Sequence, residues 1–84
     1  MPRNTFQEGL LKAMERGNLR VADVARWFGR RHSTARGWVV DGREPAGTPA
    51  DLRALFARLN ELNAEIARSR SLTSYQLRER IAQL

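Results

Sequence analysis

Apolar residues recur along this chain at helical spacing in five stretches. In the first, Phe6, Leu10, Leu11, Ala13 and Met14 follow Thr5-Phe6-Gln7-Glu8, which has the form of a capping box, and Gly17 offers a left-handed stop. A helix is expected there from about Thr5 to Arg16, covering the Val24 and Phe28 side of the second helix. Next, Val21, Val24, Ala25 and Phe28 share one face of a short helix and leave Arg20, Asp23 and Arg26 toward water. Gly29 then stands where that helix must end, because glycine enters the left-handed conformation without steric cost. In the third stretch, His32 to Val40, the apolar stripe is Ala35, Trp38 and Val39, and Arg31, His32, Ser33, Arg36 and Val40 lie on or near the opposite face.

The turn Asp41 to Gly47 is punctuated by Gly42, Pro45 and Gly47. Thr48-Pro49-Ala50-Asp51 follows with an N-cap, a proline at the first helical position and an acid three residues on. Leu52, Leu55, Leu59, Leu62 and Ile66 then recur at 3, 4, 3, 4, with Phe56 beside them. Leu62 and Ile66 lie roughly 5 and 10 Å beyond Leu59 along the axis, so the seam there requires something to pack on. Ser69-Arg70-Ser71-Leu72 breaks the pattern, and Thr73 to Gln76 is another capping box. It opens a last helix, Ser74 to Leu84, with Leu77, Ile81 and Leu84 at spacings of 4 and 3. This tail either folds back on the preceding helix or exchanges with a second subunit. The expectation carried forward is a homodimer built on Leu62, Ile66, Leu77, Ile81 and Leu84.

The run Val24-Ala25, Phe28-Gly29, Ser33-Thr34-Ala35 and Trp38 resembles the helix-turn-helix of the Cro and phage-repressor families. That pattern has a small residue where its helices cross (Ala25), glycine in the turn (Gly29) and apolar residues closing the second helix on the core (Ala35, Trp38). Two positions depart from it: Arg30 replaces an aliphatic in the turn, and Arg31 stands where Ser or Thr makes a better cap. Together with the helical spacing along the rest of the chain, this gives an expected all-α fold of about five helices. A three-helix, DNA-binding helix-turn-helix region occupies residues 1–48, and C-terminal helices in 49–84 complete the core and oligomerise. A second resemblance runs through Val21-Ala22-Asp23-Val24-Ala25, Trp38 and Gly42-Arg43-Glu44-Pro45-Ala46, which is similar to excisionase and MerR-type regulators. Their β wing would need a strand after Pro45, where this chain begins a helix. A phage small-terminase-like protein, with a helix-turn-helix ahead of oligomerising helices, is a third relative in architecture.

Charge strengthens the nucleic-acid reading. The 84 residues carry a net charge of +6, from 15 basic and 9 acidic residues. Arg20 to Arg36 holds five arginines against Asp23 alone, so the excess falls on the candidate motif, whereas a genome-wide preference for Arg over Lys would not concentrate it. Cations that neutralise phosphates release condensed counterions, which favours a polyanionic partner.

The resemblance places Arg31, His32, Ser33 and Arg36 toward the major groove, with Gly37 and Val40 along the same side. Arg36 is the leading base contact, because its fork matches guanine O6 and N7, while Arg30, Arg31 and Thr34 are suited to phosphates. Gly37 costs a helix about 1 kcal/mol relative to alanine. Either close approach to DNA or to a neighbouring helix compensates, or the helix is simply weak. Trp27 either fills a gap between helices or offers its indole N–H to a phosphate.

Other chemistry finds little footing. The chain has no cysteine, one histidine and no spacing of metal ligands or of a nucleophile with its base. No enzymatic activity, metal or cofactor is expected. The N-terminal stretch lacks the apolar run of a signal peptide, and no segment approaches a membrane span, so a cytoplasmic protein is expected. Besides duplex DNA, a protein partner held by the C-terminal helices remains an alternative, with the helix-turn-helix kept as scaffold.

Overall fold

The computed structural model describes residues 4–84. It contains five α-helices: α1 (Thr5–Gly17), α2 (Val21–Phe28), α3 (His32–Val39), α4 (Pro49–Arg68) and α5 (Ser74–Gln83). The fold is all-α, and among the described residues no strand follows Pro45 to form a wing. No described helix is long and apolar enough to cross a membrane.

Several boundaries follow from local chemistry. Thr48 Oγ accepts the Asp51 N–H and Asp51 accepts the Thr48 N–H, at 3.2 and 2.9 Å, with Pro49 at the first helical position. Thr73 and Gln76 repeat the reciprocal pair at the start of α5. The cap of α1 differs from the expectation. Asn4 is the cap, its Oδ1 accepting the Gln7 N–H at 2.8 Å, and Thr5 is already helical. Asparagine caps at least as well as threonine, so the cap falls one residue further back while the helix begins at Thr5. Its end differs too. The left-handed residue is Asn18, at φ 51°, while Gly17 stays in the helix. A Cβ on Gly17 would lie 3.1 to 3.2 Å from carbons of Leu19, Ile66 and Leu77, so this glycine serves packing between helices.

Phe6 is the centre of the core. Its ring meets Phe28, Trp38 and Phe56 edge-on, at centroid distances of 5.8, 5.2 and 5.2 Å, and thus joins α1 to α2, α3 and α4. Phe28 and Trp38 close the set at 5.6 Å. Edge-to-face contact brings the positive rim of one ring to the negative face of the next. Through Phe6, α1 reaches Phe28, but its length lies mainly along α4 and α3 instead of α2. Gly9 marks how close α1 and α4 come, since a Cβ there would fall 2.6 Å from Leu59 Cδ2.

The C-terminal helices change the expected use of the leucine seam. Leu62, Ile66, Leu77 and Ile81 are buried within the single chain and belong to the same hydrophobic cluster as Phe6 and Trp38. The partner that Leu62 and Ile66 required is α1 and α5, because α5 turns back to pack on α2, α1 and α4. Assignment of these four side chains to a subunit interface is therefore corrected. Of the five, Leu84 alone is exposed, at 55%. Glu65 pins the hairpin by accepting from Arg68 on its own helix and from Arg80 Nε on α5, the latter at 3.1 Å.

Candidate nucleic-acid interface

The geometry of α3 begins in the turn before it. Gly29 adopts φ 63°, and the Gly29 and Arg30 N–H groups donate to the carbonyls of Arg26 and Ala25, which satisfies the end of α2. Arg31 follows in extended conformation as the N-cap of α3 and makes no side-chain cap, in line with its poor capping chemistry. Val24 and Ala35 are fully buried and Ala25 nearly so, which lets α2 and α3 lie close. Asp23 accepts the Arg20 N–H at 2.8 Å and so is buried by the start of α2, not left toward water.

With Ala35, Trp38 and Val39 turned inward, Arg31, His32, Ser33, Thr34, Arg36 and Val40 are exposed. α3 contains no acidic residue. Among the described residues the ion pairs join Arg58 to Glu61 and Arg68 and Arg80 to Glu65, all on α4 and α5. Arg31 and Arg36 therefore carry charge that no carboxylate takes up. Arg30 is exposed as well and forms no ion pair among the described residues. The Asp51 carboxyl is held below its ordinary range, chiefly by the backbone N–H and side chain of Thr48, and the Arg30 charge adds to this.

Gly37 departs from its expected role. It is buried, although Ser33 and Val40 on the same side of α3 are exposed. What covers it is Arg43: a Cβ on Gly37 would lie 3.2 Å from Arg43 Cδ and 3.9 Å from its Nε. Gly37 itself is thus no contact surface, and the close approach it permits is that of an arginine stem from the following loop. The Arg43 N–H also donates to the Gly37 carbonyl at 3.0 Å. Arg43 is exposed and has no ion-pair partner among the described residues, and in the sequence it stands only within the Gly42 to Ala46 run, with no contact expected of it. The available signal was a mid-helix glycine six residues ahead of an arginine.

A polar side chain of α1 and the one that caps it hold the far end of α3 and the loop after it. Gln7 Nε2 donates to the Val39 carbonyl at 3.1 Å in a buried hydrogen bond, and Asn4 Nδ2 donates to the Gly42 carbonyl at 3.0 Å. The carbonyls that end a helix lack partners within it, so Gln7 completes the backbone at the end of α3, and Asn4 ties down the loop that follows at Gly42. Trp27, the other candidate for a phosphate contact, is turned inward. Its indole N–H is taken by the Arg58 carbonyl at 2.9 Å, which corrects that alternative. No three His, Asp or Glu side chains come together as a metal site among the described residues.

These elements define an all-α chain in which two short helices and a three-residue turn present an arginine-bearing face. Against known protein families, curated proteins and solved structures, the chain has no match.

Proposed function

We propose that this chain is a sequence-specific duplex-DNA-binding regulator of the phage or bacterial Cro/repressor type, with α3 inserted in the major groove. The observation that carries this reading is the exposed face Arg31-His32-Ser33-Thr34-Arg36, which has no acid and no ion pair to neutralise it. A helix fits the major groove, and hydroxyl and guanidinium groups match the donors and acceptors of base edges and phosphates. Arg36 supplies a bidentate contact to guanine, and Arg31 and Thr34 grip the backbone beside it. Arg30, exposed in the turn before α3, is suited to a phosphate as well.

In this reading one chain carries a complete recognition unit. Leu55, Leu59, Leu62, Ile66, Leu77 and Ile81, the apolar side chains that an adaptor would offer from α4 and α5, are buried in the chain's own core, and Tyr75 and Leu84 stay exposed. Two copies on a pseudo-palindromic site would have to meet through other, exposed residues.

The test is selection from random duplex DNA at two salt concentrations, followed by sequencing. An enriched motif that changes in Arg36→Ala supports a sequence-reading protein. Binding without a motif, with steep salt dependence, reduces the function to electrostatic attraction. Absence of binding at low salt rejects the proposal.

A further inference from the structure

We infer that Arg43, although it lies outside α3, is a specificity-determining residue that reads a base beside the recognition helix, with Gly37 as its seat. The inference rests on the DNA-binding reading above and adds a residue that the helix-turn-helix pattern does not contain.

At about 100° per residue, Ser33, Gly37 and Val40 form one strip along α3. Ala35, Trp38 and Val39 face the core, so this strip faces away from it. A glycine in the middle of such a strip would ordinarily be open to solvent. Here it is covered, because the chain reverses after Val40 and returns over the helix. Gly42, at φ 68°, makes the reversal, and the Arg43 N–H to Gly37 carbonyl bond fixes residue 43 above residue 37. The Arg43 stem and Nε therefore lie on the outward face of α3, between the exposed Ser33 and Val40.

A guanidinium there faces the same groove as Arg36. It has no ion-pair partner among the described residues, and its fork is suited to guanine O6 and N7. Any side chain at position 37 would stand where the Arg43 stem lies. This accounts for glycine at a place where alanine would favour the helix.

The two residues then give opposite signs in stability and recognition. Gly37→Ala removes a helix-disfavouring residue but pushes against the end of a flexible side chain, so thermal stability should hold or rise while recognition suffers. Selection from random duplex DNA with wild type, Arg36→Ala, Arg43→Ala, Arg43→Lys and Gly37→Ala decides the matter, with the melting temperature of each protein measured alongside. The expected result is that Arg43→Ala loses preference at one guanine, by about tenfold or more, and keeps the rest of the motif. Arg43→Lys should restore affinity better than specificity, and Gly37→Ala should weaken the same position without lowering the melting temperature. A wild-type motif that depends on Arg36 but is unchanged in Arg43→Ala, or only uniformly weakened, overturns this inference and leaves the proposed function standing. If the wild type enriches no motif, both fall.

Discussion

Trp27 and Arg58 hold each other in both directions. The Trp27 indole N–H donates to the Arg58 carbonyl at 2.9 Å, Arg58 Nε donates to the Trp27 carbonyl at 3.2 Å, and the guanidinium carbon lies 3.7 Å from the centre of the indole. The Trp27 carbonyl is among the last of α2, without a partner inside its helix. Arg58 thus caps α2 from α4 while stacking on the side chain of the residue it caps. Arg58→Ala should lower unfolding free energy by about 1 to 3 kcal/mol, through the lost cation–π contact and the carbonyl left without its donor. Trp27→Phe keeps a ring and loses the N–H, for about 1 kcal/mol. Urea denaturation measures both. DNA affinity of the folded variants should not change, and a drop would return Trp27 to the interface.

Gln7 offers a second test of how α3 is held. In Gln7→Ala the Val39 carbonyl loses a buried donor, at a cost of about 1 to 3 kcal/mol. Gln7→Glu should be worse at neutral pH, because a carboxylate cannot donate and brings an unpaired charge into a buried site. A Gln7→Ala variant as stable as the wild type would show that the amide donor is unimportant, and equal stability of the two variants at pH 7 would show that the added charge is not buried.

Gly29 isolates a backbone effect. No atom lies within 4 Å of a Cβ placed there, so Gly29→Ala meets no steric neighbour, only the left-handed conformation at φ 63°. Its expected cost is about 1 to 2 kcal/mol, and Gly29→Asn should cost less because asparagine tolerates that region. A melt in which alanine and asparagine behave alike would contradict this.

Glu65 gives the fold a pH dependence. Hydrogen bonds from Arg68 and then Arg80 hold its carboxyl below the ordinary value. A carboxyl whose folded value is depressed contributes its stability above the unfolded value, near pH 4.5, and loses it as pH falls through the folded one. Glu65→Gln should therefore flatten the acid limb of the stability curve below about pH 4.5 and lower the plateau above it. Acid limbs that coincide for the two proteins would remove Glu65 from the account.

Salt dependence separates the roles of the arginines under the proposed function. A phosphate contact releases counterions, so Arg31→Ala should weaken binding evenly across sequences and reduce the log–log salt slope by about one. Arg36→Ala should change which sequences bind. If both variants merely shift affinity by the same factor on every duplex, α3 does not read bases.

Much of this architecture was legible because it depends on neighbours three or four residues apart. The Thr48-Pro49-Asp51 and Thr73-Gln76 boxes, the Gly29 stop and the inward stripe of Ala35, Trp38 and Val39 all rest on such contacts, and the structure has each where local chemistry puts it. The first cap was misplaced by one residue because Asn4 and Thr5 both satisfy the local rule.

Periodicity alone established that Leu62 and Ile66 must be covered, and composition alone established an arginine excess around the turn. Neither carries the identity of a distant partner. Whether α5 folds back or pairs with another copy depends on how Leu77 and Ile81 fit beside Gly17 and Ile66, a match between residues far apart in the chain. Gly37 makes the same point at the candidate interface. Its composition marks a close approach, but only the reversal at Gly42 reveals that the approaching group is Arg43, because a chain turn converts six residues of separation into direct contact.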